Sequence, residues 1–173
     1  MPFNHMPIEK QLLDRAIAST LRYLSHRPRS TMELKIWLAK RFDHSITHSV
    51  LAKMNCQGLV DDLKFSGFWV DNRSAYRPRS ARLIRQELLM KGISRDIADK
   101  AVDHLDNEEL ALKVALDRSK KISHLPESLF LKKMIAHLQR RGFNFSESRQ
   151  AARHAWKKIE VDHCTEINTS ISI

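Results

Sequence analysis

Apolar residues recur along this chain at helical spacing, in short runs separated by turn and capping signals. Leu13, Ile17, Leu21 and Leu24 form one stripe on a helix over 11–25. After a turn at Arg27 to Ser30, Ser30 and Glu33 make a capping box for a helix that carries Leu34 and Leu38 inward and ends by Phe42 and Asp43. A third helix is expected from Ser45 to Gly58, with Ile46, Val50 and Met54 in the core. Asp61 or Asp62 caps the next, which holds Phe65, Phe68 and Trp69 before a polar end at Asp71 to Ser74. Pro78 then breaks the chain, Ser80 caps a helix with Ala81, Ile84 and Leu88 on one stripe, and Gly92 stops it. Ser94 caps a segment bearing Ile97, Ala101, Val102 and Leu105, and a second capping box, Asp106 with Glu109, precedes Leu110, Val114 and Ala115. Pro126 suits the first position of a helix ending at Gly142, and Ser146 starts the last, with Ala152 and Trp156. Met1 to Lys10 reads as a flexible lead-in and 161–173 as a disordered tail.

Laid over one another, these runs repeat at about 50 residues. Leu34, Ile84 and Met134 fall at successive offsets of 50, as do Leu38, Leu88 and Leu138, the basic Arg41, Lys91 and Arg141, and Thr31, Ala81 and Leu131. Gly92 and Gly142 end their helices in the same register. The expectation is an all-α protein of three tandem repeats of three short helices, about 11–58, 61–105 and 106–160, forming an elongated, curved array within one domain over 11–160.

Composition narrows the partners. Four Gly and five Pro in 173 residues suit helices with short connections. Thirty Lys and Arg against 20 Asp and Glu give a net charge of +10, an excess that favours polyanions such as nucleic acid or an acidic protein face. Two isolated cysteines suggest neither a disulfide framework nor a zinc site, and no apolar run reaches the roughly 20 residues that span a bilayer. A cytoplasmic protein is expected, without a cofactor.

The charge is sorted along the chain. Arg77, Arg79, Arg82, Arg85 and Lys91 crowd the middle repeat, Arg27 and Arg29 open the first, and Lys132, Lys133, Arg140 and Arg141 mark the third, while acids gather from Asp96 to Glu109. These cations are the candidate partner- or DNA-binding residues. Asp61 and Asp62 read as helix caps, since no nucleophile or glycine-rich loop accompanies them as catalytic carboxylates. His44 and His48 have the i, i+4 spacing of a metal pair but no third ligand. Phe65, Phe68 and Trp69 read as a core stripe rather than a base-stacking set, whereas Trp37 suits core packing and partner contact equally. No constellation of nucleophile, base and oxyanion donor can be assembled, so an enzyme is not expected.

Gly58, Leu59, Val60, Asp61, Asp62, Leu63, Lys64 and Phe65 resemble the G-Y-L-D-D-x-x-F signature of the RecX family. Arg82 to Ile93 is similar to that family's R-x-E-L-x-x-K-G-I run, and Arg140, Arg141, Gly142 and Phe143 fit its third unit. The resemblance covers about residues 11–156, with Phe42 standing where a glycine is expected. It implies a small helical protein, expected to be a monomer, that binds the RecA recombinase filament on single-stranded DNA and inhibits strand exchange and ATP hydrolysis, modulating recombination and the DNA-damage response. Binding to single- or double-stranded DNA is implied as well. The alternative is a general DNA-binding protein that uses a basic, helix-turn-helix-like face.

Overall fold

The computed structural model describes the backbone of residues 6–170 and the side chains of residues 8–162. Among the described residues there are nine helices and no strand: α1 (Met6–Ser25), α2 (Thr31–Ala39), α3 (His44–Cys56), α4 (Asp62–Tyr76), α5 (Ala81–Met90), α6 (Arg95–Val102), α7 (Asn107–Ile122), α8 (Glu127–Arg140) and α9 (Phe145–Ser170). The fold is all-α and built of helical repeats. Two compact units share the chain. The first holds α1 to α3, α4 through Val70, and Glu87–Ala101; the second holds Asp71–Gln86 and the described residues from Val102 onward.

The repeat is visible in the cores. Leu34, Ile84 and Met134, and likewise Leu38, Leu88 and Leu138, are completely buried. In the first unit Leu34 and Leu38 join Ala16, Ile46, Val50, Met54 and Val60 in one cluster. In the second, Phe130, Met134 and Leu138 meet Ala111, Val114 and Ala115 of α7 and Ala152 and Ala155 of α9. The small alanines let these three helices approach closely.

A recurring joint fixes the register. In the first unit Ser30 caps α2: its Oγ accepts from the Glu33 N–H at 3.1 Å and donates to the carbonyl of Lys91 at 2.7 Å, while the Thr31 N–H donates to Asp62 Oδ1 at 2.8 Å. In the second unit Ser80 caps α5, its N–H donating to the carbonyl of Arg141 at 3.1 Å, and the Ala81 N–H donates to Asn107 Oδ1 at 2.8 Å. In each joint the capping serine donates to the carbonyl just past another helix end, through its hydroxyl at Ser30 and its N–H at Ser80, while the orphan N–H that follows finds a side-chain oxygen. The glycines after those ends take φ of +80° at Gly92 and +91° at Gly142. Each also lacks room for a side chain: a Cβ at Gly92 would collide with Met32, and one at Gly142 would lie 2.5 Å from Ser80 Oγ.

Several expected boundaries move. α1 begins at Met6, within the stretch read as a flexible lead-in, because Pro7 is tolerated in a first helical turn; residues 1–5 lie outside the described residues. α9 runs to Ser170 through most of the stretch read as a disordered tail, since no Pro or Gly interrupts it and extending a formed helix is easy; 171–173 lie outside the described residues. Asp43, not Ser45, caps α3, its carboxylate accepting from the Ile46 N–H at 2.9 Å. Pro126 stands at the cap of α8 rather than one position inside. Asn144 and Glu147 exchange two 2.8 Å hydrogen bonds at the start of α9, in place of a start at Ser146. The buried line of α1 is Ala16 and Thr20, with Leu21 turned to solvent, because the Thr20 hydroxyl satisfies itself by donating to the Ala16 carbonyl at 2.8 Å.

Candidate polyanion interface

The candidate cations of the first unit, Arg27, Arg29 and Lys91, are engaged within the protein. Arg27 forks onto the two carboxylate oxygens of Glu33, both at 3.0 Å, and also donates to the carbonyl of Pro28 at 2.8 Å. Lys91 pairs with the same carboxylate and rests 4.1 Å above the Trp69 ring, whose indole N–H donates to Glu87 at 2.8 Å. Burial pushes the Glu33 carboxyl upward, but the hydrogen bonds and charges of Arg27 and Lys91 outweigh it and hold its pKa at about 2. Arg29 covers the Tyr23 ring at 4.1 Å, Tyr23 stacks on Trp37 at 4.5 Å, and Arg41 closes the far side 4.3 Å from Trp37. Trp37 is therefore a filling of this cation–aromatic stack. Arg27, Arg29 and Lys91 act here as internal fasteners.

Other residues singled out by sequence resolve simply. Asp61 accepts from the N–H groups of Leu63 and Lys64 at 2.9 and 3.0 Å, and the Lys64 bond above all holds its carboxyl below the usual range. Asp62 holds Thr31 at the joint. Phe65 is buried, but Val70 shares its stripe, whereas Phe68 and Trp69 are half-buried. His44 and His48 face each other with ring centroids 6.5 Å apart, and the described residues contain no group of three or more side chains able to hold a metal ion.

The second unit differs. Arg77 and Pro78 interrupt the chain between α4 and α5, since Pro78 forces its predecessor out of helical geometry. Arg141, just after α8, donates from Nη1 to the Pro78 carbonyl at 3.2 Å, which fixes its guanidinium beside that turn. Burial, and next the charge of Arg79 with lesser contributions from Arg77 and Arg118, push Arg141 below the ordinary arginine range, against the pull of Asp117. Arg141 thus lies within a field of like charge. A groove of about 320 Å³ opens here, lined by Ala75, Tyr76, Pro78, Lys113, Val114, Asp117, Arg118, Lys121, His137 and Arg141. Lys113 is anchored to the Ser74 carbonyl at 3.0 Å. Among the described residues the Arg118 and Lys121 side chains have no hydrogen-bonding or ionic partner. Burial first, then Arg141, Arg118 and Arg140, depress the His137 pKa, with Asp117 opposing.

Four lining cations against one acid make a site in which a dense anion relieves repulsion. Of the residues expected from sequence, Arg77, Arg79, Arg140 and Arg141 belong to this field. Arg82, Lys132 and Lys133 are exposed on α5 and α8, and Arg85 is half-buried. The sequence reading missed Tyr76, Lys113, Arg118, Lys121 and His137. Lys113, Asp117 and Lys121 stand at i, i+4 and i+8 on α7, a stripe that was visible but looked like an ordinary mixed-charge face after the acidic run.

No described helix is long and apolar enough to cross a membrane. Family models of the first and second three-helix domains of RecX match residues 16–54 and 61–102. The regulatory protein RecX of Corynebacterium efficiens is 33% identical over 144 residues, covering 78% of this chain and 69% of the relative. That of Mycobacterium ulcerans is 32% identical over 138 residues, covering 76% and 79%. A crystal structure of regulatory protein RecX superposes with a TM-score of 0.65 at 26% identity, covering 78% of this chain and 68% of the other. The crystal structure of RecX from Lactobacillus salivarius gives 0.66 at 18% identity, covering 83% and 96%, a likeness of fold.

Proposed function

The chain belongs to the RecX family of regulatory proteins, and from that premise we propose that it binds the RecA recombinase filament on single-stranded DNA and restrains its ATP hydrolysis and strand exchange. The role is regulatory and non-catalytic, with the groove around Pro78 and Arg141 supplying the polyanion contact. The observation that carries the groove's part is the pairing of unpartnered Arg118 and Lys121 with Arg141, three cations gathered in one cleft with a single acid. Their mutual repulsion is a standing cost in the free protein that a phosphate backbone removes.

The test is recombinase ATP hydrolysis on single-stranded DNA with stoichiometric protein. The wild-type chain is expected to inhibit. Arg118→Glu with Lys121→Glu is expected to lose most inhibition and lower the salt slope of binding by about 2, with helical circular dichroism unchanged. An unaffected ATPase in the presence of wild-type protein would sink the regulatory reading. Arg82, exposed on α5, keeps the general DNA-binding alternative in view; sequence-selective duplex binding without recombinase would favour it.

A further inference from the structure

We propose that Tyr76 is a base-stacking platform beside the basic groove, and that the groove therefore takes single-stranded nucleic acid in preference to duplex. This rests on reading the groove as the polyanion contact. Tyr76 is the last residue of α4 and 80% exposed, although it lines the same cleft as Lys113, Arg118, Lys121 and Arg141. The chain's other tyrosine illustrates the contrast, since Tyr23 lies between Trp37 and Arg29. A single exposed aromatic ring is ordinary on a protein surface. An uncovered ring lining a cleft of cations is the arrangement that grips single strands, where guanidinium and ammonium groups hold phosphates and the ring receives an unpaired base. In a duplex the bases are stacked on one another, so the ring has no free face to engage. An acidic polypeptide would satisfy the cations but gain little from the ring.

The test uses the full chain and fluorescence anisotropy with labelled oligothymidylate and a labelled duplex hairpin, across a salt series. Tyr76→Ala is expected to weaken oligothymidylate binding roughly 5- to 100-fold while leaving duplex affinity and the salt slope unchanged. Tyr76→Phe should bind as wild type, which also guards against a folding defect. Wild-type affinity in Tyr76→Ala, equal losses for single strand and duplex, no binding of oligothymidylate by the wild type, or displacement of the oligonucleotide by polyglutamate at equal charge would each overturn the proposal. Recombinase ATPase measured on the same proteins separates the two readings. Selective loss of oligothymidylate binding with no effect of wild-type protein on the recombinase removes the regulatory role and keeps the platform. Inhibition of the recombinase alongside wild-type binding by Tyr76→Ala does the reverse.

Discussion

Glu33 gathers the Ser30 N–H, the Arg27 fork and the Lys91 ammonium on one carboxylate. Its folded pKa of about 2 lies below the roughly 4.3 of an unfolded glutamate, so the stability it confers is present above pH 4.3 and lost as pH falls toward 2. Glu33→Gln should therefore cost about 1–3 kcal/mol in urea denaturation near neutral pH, with the gap from wild type closing near pH 2. His137 titrates with the same consequence. Its pKa is depressed beneath the ordinary value near 6.5, so the unfolded chain holds the proton more firmly and acidification through that range destabilises the free protein. A bound polyanion offsets the charges of Arg141, Arg118 and Arg140, so binding should draw in a proton and tighten as pH falls through the ordinary histidine range near 6.5. His137→Gln should flatten both profiles. The Ser30 and Glu33 box was legible because its members stand three apart in sequence. Lys91 was counted among the free cations because its acid lies 58 positions away, and no local pattern records that.

Among the elements, α5 and its stop were the most readable, since stripe, serine cap and glycine all lie within a few residues. Leu88→Ala should cost about 2–5 kcal/mol by urea denaturation, the side chain being fully buried. The glycines separate two causes that sequence merges. Gly58 has φ +64° and open space, so Gly58→Ala should lose only the left-handed backbone term of about 1–2 kcal/mol. Gly142→Ala adds collisions with Ser80 Oγ and Leu83 Cβ, so its melting temperature should drop further than that of Gly58→Ala. Helix starts were less readable where two capping residues compete. Asp43 and Ser45, and Asn144 and Ser146, are equally plausible by type, and tertiary packing chooses between them.

At the scale of the molecule, the 50-residue period correctly announced helical repeats with their buried positions. It did not announce that the compact units divide α4 and α5 instead of falling between repeats. That division arises from the joint, in which Ser30 and Ser80 each reach a helix end 61 residues ahead. The basic groove was half legible for a related reason. The arginines around Pro78 advertise themselves, whereas α7 supplies cations from a stretch that looks unremarkable alone. The joint also behaves as a counting rule with a stop at each end. Step it forward and Phe130, buried within α8 with its N–H already given to the Pro126 carbonyl, stands in the serine place; step it back and Phe42 stands where glycine makes room. Two copies meeting end to end would find neither the donor nor the gap. Sedimentation over a wide concentration range should therefore give one monomer mass, each joint being closed by partners from its own chain with none left over for a neighbour.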